Sequence, residues 1–157
     1  MAQDQAAAFA RIIQTLSKGR AVWLHHGDCV GADAQAHEIS LGAGCQIYLH
    51  PPDVDDFRAF CQGADIVWAL RPYLKRNEDI VKASAMLVAT PGEFKERVRS
   101  GVWSTVRKAR KARKPVLTVW PDGSARLERA EQPPLKLGAP VDAQAIVESL
   151  GLARLGA

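Results

Sequence analysis

The chain has 157 residues, of which 47% are hydrophobic and 24% charged, and its formal net charge is +4. These values fit one globular domain that is long enough to bury a core without disulfides or metals. Its three cysteines include no Cys-x-x-Cys pair, which argues against a disulfide framework and a structural zinc site. No apolar run approaches the roughly 18 residues of a membrane span, and no signal-peptide pattern opens the chain, so a cytoplasmic protein is predicted.

Helical and strand-like segments alternate from the N-terminus. Apolar side chains at helical spacing predict the first helix, which Gly19 ends, and short apolar runs predict the strands. The predicted elements of the first half are a helix at 4–16, a strand at 21–24, a helix at 32–41 and a strand at 46–49.

The second half repeats this alternation after a less regular stretch. Ile66-Val67-Trp68 is predicted either as a strand or as a loop packed over the sheet. The later predicted elements are a helix at 76–84, a strand at 85–89, a helix at 102–113, a strand at 116–120, an irregular segment at 126–140 and a helix at 141–150.

Unbroken apolar strands between helices are typical of a parallel sheet covered on both faces. We therefore predict an α/β fold, a three-layer Rossmann-like domain with a mainly parallel sheet. Residues 1–125 form this domain, and residues 126–157 pack on it. Ligands of such sheets bind beyond the carboxyl ends of the strands, where Gly, Ser, Thr, His and Asp gather in this sequence.

The first candidate binding segment is 25–33, which contains Gly27, Asp28, Gly31 and Asp33. Its glycines flank a tight strand-to-helix turn, so backbone N–H groups at a helix N-terminus can face an anion. Asp33 can accept a hydrogen bond from a ribose hydroxyl or cap the helix. The alternative is that the glycines only make the turn. The segment matches neither the Gly-x-Gly-x-x-Gly fingerprint nor a P-loop.

A second candidate segment follows a buried strand and opens a helix. Hydroxyl groups in its first turn can donate to phosphate oxygens beside the N–H groups of the helix N-terminus, although ordinary capping also explains them. Its candidate binding residues are Arg99, Ser100, Gly101, Ser104 and Thr105.

The pair Arg76-Asn77 is the third candidate. A guanidinium group can hold a phosphate through two hydrogen bonds, and the amide can bind a sugar or a base, whereas Asn77 alone also suits a helix cap.

Three other patterns favour structural interpretations. The four histidines with Asp28 and Asp33 lack a tight metal motif, so neither a metal nor a cofactor is predicted. Cys29 near His25 and His26 is better explained as an inert thiol than as a nucleophile. The basic run 97–114 is either a nucleic-acid footprint or, more simply, a solvated helix face.

Several of these stretches resemble the SLOG superfamily, and more narrowly a group of uncharacterised proteins of phages and mobile elements. The superfamily has a Rossmann-like fold and includes the lonely-guy phosphoribohydrolases, the DNA-processing protein A family, molybdenum-cofactor carrier proteins and sensor domains for nucleotide-derived signals. The resemblance spans about 21–123 and implies a nucleotide-derived ligand. It rests on 26–33, 50–52 with Arg58, 73–77 with Ile80-Val81, 99–105 and 114–116.

One departure concerns catalysis. The phosphoribohydrolases carry Pro-Gly-Gly-x-Gly-Thr-x-x-Glu with a catalytic glutamate. If Ser104 or Thr105 takes the hydroxyl position, Arg107 or Lys108 stands in place of that glutamate. The resemblance therefore favours binding, with catalytic residues unknown. Hydrolysis of a nucleoside 5'-monophosphate, with a carboxylate from the preceding loop (Glu93 or Glu96), is the alternative, and nucleic-acid binding is the second alternative.

A second departure concerns the first helix. Relatives begin with a strand and a Gly/Thr-rich loop before it, whereas here the helix at 4–16 comes first. A missing central strand exposes unpaired backbone groups. We therefore expect a homo-oligomer, or else a tail at 126–150 that folds back over the gap.

Overall fold

The fold is described by a computed structural model that covers residues 1–129. Within this range the chain forms four helices and two small sheets, which confirms the α/β class. The helices are α1 (Gln3–Ser17), α2 (Ala32–Gly42), α3 (Tyr73–Ala83) and α4 (Gly101–Lys111). The strands are β1 (Trp23–His26), β2 (Gln46–Leu49), β3 (Ile66–Val67), β4 (Leu87–Ala89), β5 (Val116–Val119) and β6 (Ala125–Glu128).

The strands form two separate three-stranded sheets. The first has the order β1-β2-β3 and is parallel throughout, with Leu24 opposite Ile47. The second has the order β4-β5-β6, in which β4 and β5 are parallel and β6 is antiparallel to β5. Among residues 1–129 no strand joins β1 to β4. The single sheet that the sequence predicted is therefore divided in this part of the chain.

Helix α1 packs against both sheets. Ala8 and Ile12 lie against β5, whereas Phe9 and Ile13 lie against β2. Two apolar stripes at i, i+4 spacing on neighbouring faces of one helix make this double contact possible. The buried Gln5 side chain donates to the carbonyl oxygens of Pro91 and Val119, at 2.8 and 2.7 Å. Thus α1 begins at the carboxyl end of the second sheet.

Helices α3 and α4 pack against one another. Helix α3 also contacts β1, and α4 contacts β4 and β5. Trp103, Val106 and Ala109 of α4 form a buried cluster with Val81 of α3 and Val116 of β5. Residues at the amino ends of α3 and α4 also border the same space as the carboxyl ends of β1 and β4.

Strand β6 corrects the sequence prediction, which treated the chain from residue 126 as irregular. A tight turn in which the Trp120 N–H donates to the Ser124 carbonyl at 2.8 Å reverses the chain after β5. Ala125 and Leu127 then pack on the second sheet's core while Arg126 is exposed. In a four-residue strand this alternation was too short to recognise. The predictions for 130–150 lie outside the described residues.

The bounds of two elements that contain site residues also differ from prediction. Strand β1 begins and ends two residues later than 21–24, so it contains both His25 and His26. Helix α3 begins at Tyr73 rather than Arg76, immediately after Pro72, which places Arg76 and Asn77 in its first turn and a half. Both histidines and both α3 residues are consequently held by regular structure.

Candidate functional site

A cavity of about 1280 Å³ lies between β1 and β4 and reaches the carboxyl ends of both strands. Side chains from α1, α3 and α4 complete its walls. It contains most of the residues that the sequence predicted to bind a ligand: Gly27, Asp33, Arg76, Asn77, Arg99, Ser100, Gly101, Ser104 and Thr105. Residues from three separate predicted segments therefore meet in one place.

Asp28 and Gly31, which were also predicted, do not line this cavity. Asp28 is fully buried and accepts hydrogen bonds from Arg58 Nε at 2.8 Å and from the Cys61 N–H at 2.9 Å. Gly31 is the N-cap of α2 and has a φ of 88°, a conformation that favours glycine. In this structure Asp28 therefore ties down the loop that contains Arg58 and Cys61, and Gly31 makes the turn into α2.

The loop after β1 is organised around the carboxylate of Asp33. Its Oδ2 atom accepts hydrogen bonds from the N–H groups of Gly27 and Cys29, at 3.0 and 3.2 Å. The guanidinium group of Arg76 lies directly over Gly27, where a Cβ atom would fall 1.1 Å from Arg76 Nη1. Gly27 is therefore needed for the close approach of Arg76 rather than for a special backbone conformation.

Arg76 is a buried cation whose charge is only weakly balanced by its neighbours. It is only 5% exposed, and its Nη1 lies 3.8 Å from Asp33 Oδ2. Its Nη2 donates to Cys29 Sγ at 3.4 Å, its guanidinium lies 5.3 Å from the centre of the Tyr73 ring, and its Nε has no hydrogen-bond partner among the described residues. A buried charge that is incompletely paired is costly in free energy, so an anion at this position would be stabilising.

The amino end of α4 supplies the opposite part of the site. Ser100 is its N-cap, but the Ser100 side chain makes no capping hydrogen bond, and Gly101 begins the helix. The Thr105 hydroxyl donates to the Gly101 carbonyl at 3.1 Å, so that hydroxyl is already used within the helix. The free N–H groups of the first turn, with Ser100 and Ser104, remain as donors at the positive end of the helix dipole.

The sequence analysis missed a chain of hydrogen bonds between buried histidines. The Asp28 N–H donates to His26 Nδ1 at 3.2 Å, His26 Nε2 lies 3.1 Å from His37 Nδ1, and His37 Nε2 lies 2.8 Å from the Gln62 carbonyl. Every partner is satisfied when both rings are neutral and carry their proton on Nε2. Burial lowers the pKa of His26 to about 4, which agrees with a neutral ring. Only the tertiary fold brings these residues together.

The same residues are poorly suited to a metal ion. His26, His37 and Cys61 place ligand atoms within 4.8 Å of one another. However, the ring nitrogens that would bind the ion already hydrogen-bond each other, and His26 Nδ1 is engaged by a backbone N–H. Burial, together with the hydrogen bond and charge of Asp28, raises the pKa of Cys61 to about 12, so its thiol is protonated in the metal-free protein. This cluster therefore has a structural role.

A second histidine pair borders the cavity. His25 Nδ1 lies 2.9 Å from His50 Nε2, and the two rings stack on Tyr48 and Trp68 respectively. Burial lowers the pKa of His50 to about 4 and also lowers that of His25. Of the pair, only His25 lines the cavity.

Besides His25 and His26, the cavity contains little that could act as a general acid or base. Asp33 is its only carboxylate among residues 1–129. Glu96 is bound by Arg107 at 2.9 Å and Arg110 at 2.7 Å, and Glu93 accepts a hydrogen bond from Trp103 at 3.2 Å. Burial raises the pKa of Cys29, so its thiol is a poor nucleophile. All three cysteines are free thiols.

Much of the basic run is paired within the protein. Arg107 and Arg110 bind Glu96, Lys108 binds Glu78 at 2.8 Å, and Arg110 also binds Glu128 at 2.8 Å. These pairs reduce the positive field that a nucleic-acid backbone would meet on α4. They support the interpretation of this run as a solvated helix face.

Comparison with family models, with curated proteins and with solved structures found no match. Among residues 1–129, none of the helices has the length and apolar character needed to cross a bilayer.

Proposed function

We propose that this protein binds the phosphate group of a nucleotide or nucleotide-derived small molecule at the carboxyl ends of β1 and β4. The observation that carries the proposal is Arg76, a buried guanidinium that borders the cavity, lies 3.8 Å from its carboxylate partner Asp33 and has an unpaired Nε among the described residues. Membership of the SLOG superfamily, the three-layer Rossmann-like arrangement and a cytoplasmic location belong to the same proposal.

The charge balance of the cavity supports an anionic ligand. Its described lining contains the cations Arg20, Arg76, Arg99 and Arg107, of which Arg107 already binds Glu96 at 2.9 Å, but only the one carboxylate of Asp33. The amino end of α4 adds N–H donors and a partial positive charge. A phosphate between Arg76 and this helix end would receive hydrogen bonds from two directions.

The nucleoside part has suitable partners nearby. Asp33 Oδ1 has no hydrogen bond among the described residues and can accept from a ribose hydroxyl. Asn77, one residue after Arg76, can bind a sugar or base through its amide. These two side chains give the site a polar region beyond the phosphate.

Binding is a better proposal than hydrolysis of an N-glycosidic bond. Such chemistry needs a carboxylate or another group to move protons, and Asp33 already accepts two backbone hydrogen bonds. Glu93 and Glu96, the alternative carboxylates, do not line the cavity in the described structure.

A thermal-shift and calorimetric titration with nucleoside monophosphates, nucleosides and inorganic phosphate tests the proposal. At about one hundred times its Kd, a ligand should stabilise the protein by about 2.7 kcal/mol.

Arg76→Met should weaken nucleotide binding about 10- to 100-fold, since a hydrogen bond to a charged group contributes about 1.5–3 kcal/mol. Arg11→Met, at an exposed position on α1, is the control and should bind normally. If no phosphorylated compound stabilises the folded protein, the proposal is wrong.

A further inference from the structure

The edge of β1 that faces away from β2 has no strand partner among residues 1–129. The carbonyl oxygens of Val22 and His26 accept hydrogen bonds from the N–H groups of Gln46 and His50, both at 2.9 Å. Successive residues of a strand direct their backbone groups to opposite sides. The N–H and C=O groups of Trp23 and His25 therefore point away from β2, toward the cavity that both residues line.

The same reasoning applies to β4. The Leu87 N–H donates to the Pro115 carbonyl at 2.9 Å, on the side of β5. The backbone groups of Val88 consequently point to the other side, where Val88 also lines the cavity. Two unpaired strand edges thus border the same space.

The remaining walls of this space are largely apolar. Phe9, Ile13 and Leu16 of α1 line it, as do Ile80 of α3 and Val102 of α4. Open strand edges are normally paired or covered in folded proteins, because their free N–H and C=O groups are ready to pair with another strand. The space between β1 and β4, called here the strand slot, therefore has the chemistry of an interior position in a sheet.

We propose that the strand slot binds an extended peptide segment that hydrogen-bonds to β1 on one side and to β4 on the other. The residues of the occupant that pair within the slot must be uncharged and free of proline, because they are surrounded by apolar side chains and need donors on both edges. Its length matches its neighbours, which have four residues in β1 and three in β4. Both sheets then become one seven-stranded sheet of the order β3-β2-β1-peptide-β4-β5-β6.

The composition of residues 130–157 favours a peptide from outside this 157-residue sequence. Its runs of three or more residues that lack both charge and proline are 137–139, 143–147, 149–153 and 155–157, and only Ile146 and Val147 in these runs are β-branched. Most of their residues are Ala, Gln, Gly, Ser or Leu rather than the β-branched and aromatic types preferred in strands. The occupant is therefore assigned to another polypeptide segment, rich in Val and Ile.

The test uses the full chain without nucleotide, so that its outcome is independent of the proposed ligand. The probe is an acetylated and amidated peptide, Lys-Val-Ile-Val-Ile-Val-Lys, and the control replaces its central Val by Pro. Residue-level amide hydrogen exchange is measured by NMR. With peptide at about one hundred times its Kd, exchange at Trp23, His25 and Val88 should slow about 100-fold, and the proline peptide should have no such effect.

Each other pattern of protection overturns the proposal in a different way. Protection of only Ile66 and Val67 would mean that the peptide pairs with the outer edge of β3. If the peptide slows exchange at β1 but not at β4, or slows it at neither strand, the slot does not bind a strand. If Trp23, His25 and Val88 are already protected before peptide is added, the occupant belongs to this chain or to a second copy of it.

Discussion

At the scale of single residues, the contact of Arg76 with Gly27 determines the geometry of the candidate site. The guanidinium occupies the space where any other residue at position 27 would place its Cβ atom. Asp33 holds the same loop from the other side through two backbone N–H groups. A small residue, a buried cation and a carboxylate thus depend on one another, although they come from the loop after β1, from α3 and from α2.

Gly27→Ala tests this dependence. The new methyl group should displace the Arg76 guanidinium toward the cavity, lowering the free energy of unfolding by about 1 kcal/mol, the low end of overpacking costs, because the displaced atoms end a flexible side chain. Nucleotide binding should weaken as well. The control is Gly42→Ala, at the end of α2, where an added Cβ meets nothing within 4 Å and stability should stay the same or rise slightly. Urea unfolding measures both variants, and equal stabilities would contradict the contact.

The buried histidines predict how stability depends on pH. Folding lowers the pKa of His26 and of His50 from 6.5 to about 4, so protonation favours the unfolded chain. Their contribution is complete above about pH 6.5 and is lost as the pH falls from there toward 4, by on the order of 3 kcal/mol for each ring. Urea unfolding between pH 4 and 8 checks this. His50→Gln should make the dependence shallower, and an unchanged slope would refute the assignment.

At the scale of secondary-structure elements, α4 combines two roles that the sequence left open. Its amino end faces the cavity with unpaired N–H groups, while its basic residues farther along bind Glu78, Glu96 and Glu128. The helix therefore has N–H donors at its amino end, while much of the positive charge on its side chains is paired with glutamates of the same protein. Such exposed ion pairs are individually weak, so their main consequence here is a reduced external field.

The same arrangement predicts that nucleoside monophosphates are hydrolysed very slowly or not at all. In the proposed alignment with the phosphoribohydrolases, Arg107 or Lys108 stands in place of the glutamate, and general acid–base help typically contributes about 10²–10⁴-fold. Release of free base, followed by chromatography, measures the reaction. Ordinary enzymatic rates that disappear in Glu93→Gln or Glu96→Gln would show that one of these carboxylates acts in the site.

At the scale of the whole molecule, α1 packs against both sheets while the strand slot separates them. The outer edge of the first sheet is also uncovered in the described structure. Ile66, Val67 and Trp68 are each about half exposed, with values of 45%, 58% and 45%. Apolar side chains on an edge strand favour association with another chain.

A homo-oligomer that uses the β3 edge is therefore expected. Light scattering at micromolar concentration should give a mass above the 17.1 kDa of one chain. Val67→Lys should shift the mass toward the monomer, since a charge on an edge strand opposes pairing. Val98→Lys, at a more exposed position away from that edge, should leave the mass unchanged. A monomeric unsubstituted protein would reject the expectation.

The sequence by itself determined the type of nearly every element and the segments that form the candidate site. Hydrophobic spacing and the positions of Gly and Pro are local signals, so they identified helices and strands, while the short β6 escaped them. The rule that ligands of parallel sheets bind beyond the carboxyl ends of the strands predicted that 25–33 and 99–105 would lie at one site.

Only the tertiary structure decided which atoms are in contact. Arg76 over Gly27, His26 against His37 and Asp28 bound to Arg58 join residues far apart in the chain, and the division between β1 and β4 depends on which strands are neighbours. Such contacts arise from packing in three dimensions, which no local pattern records.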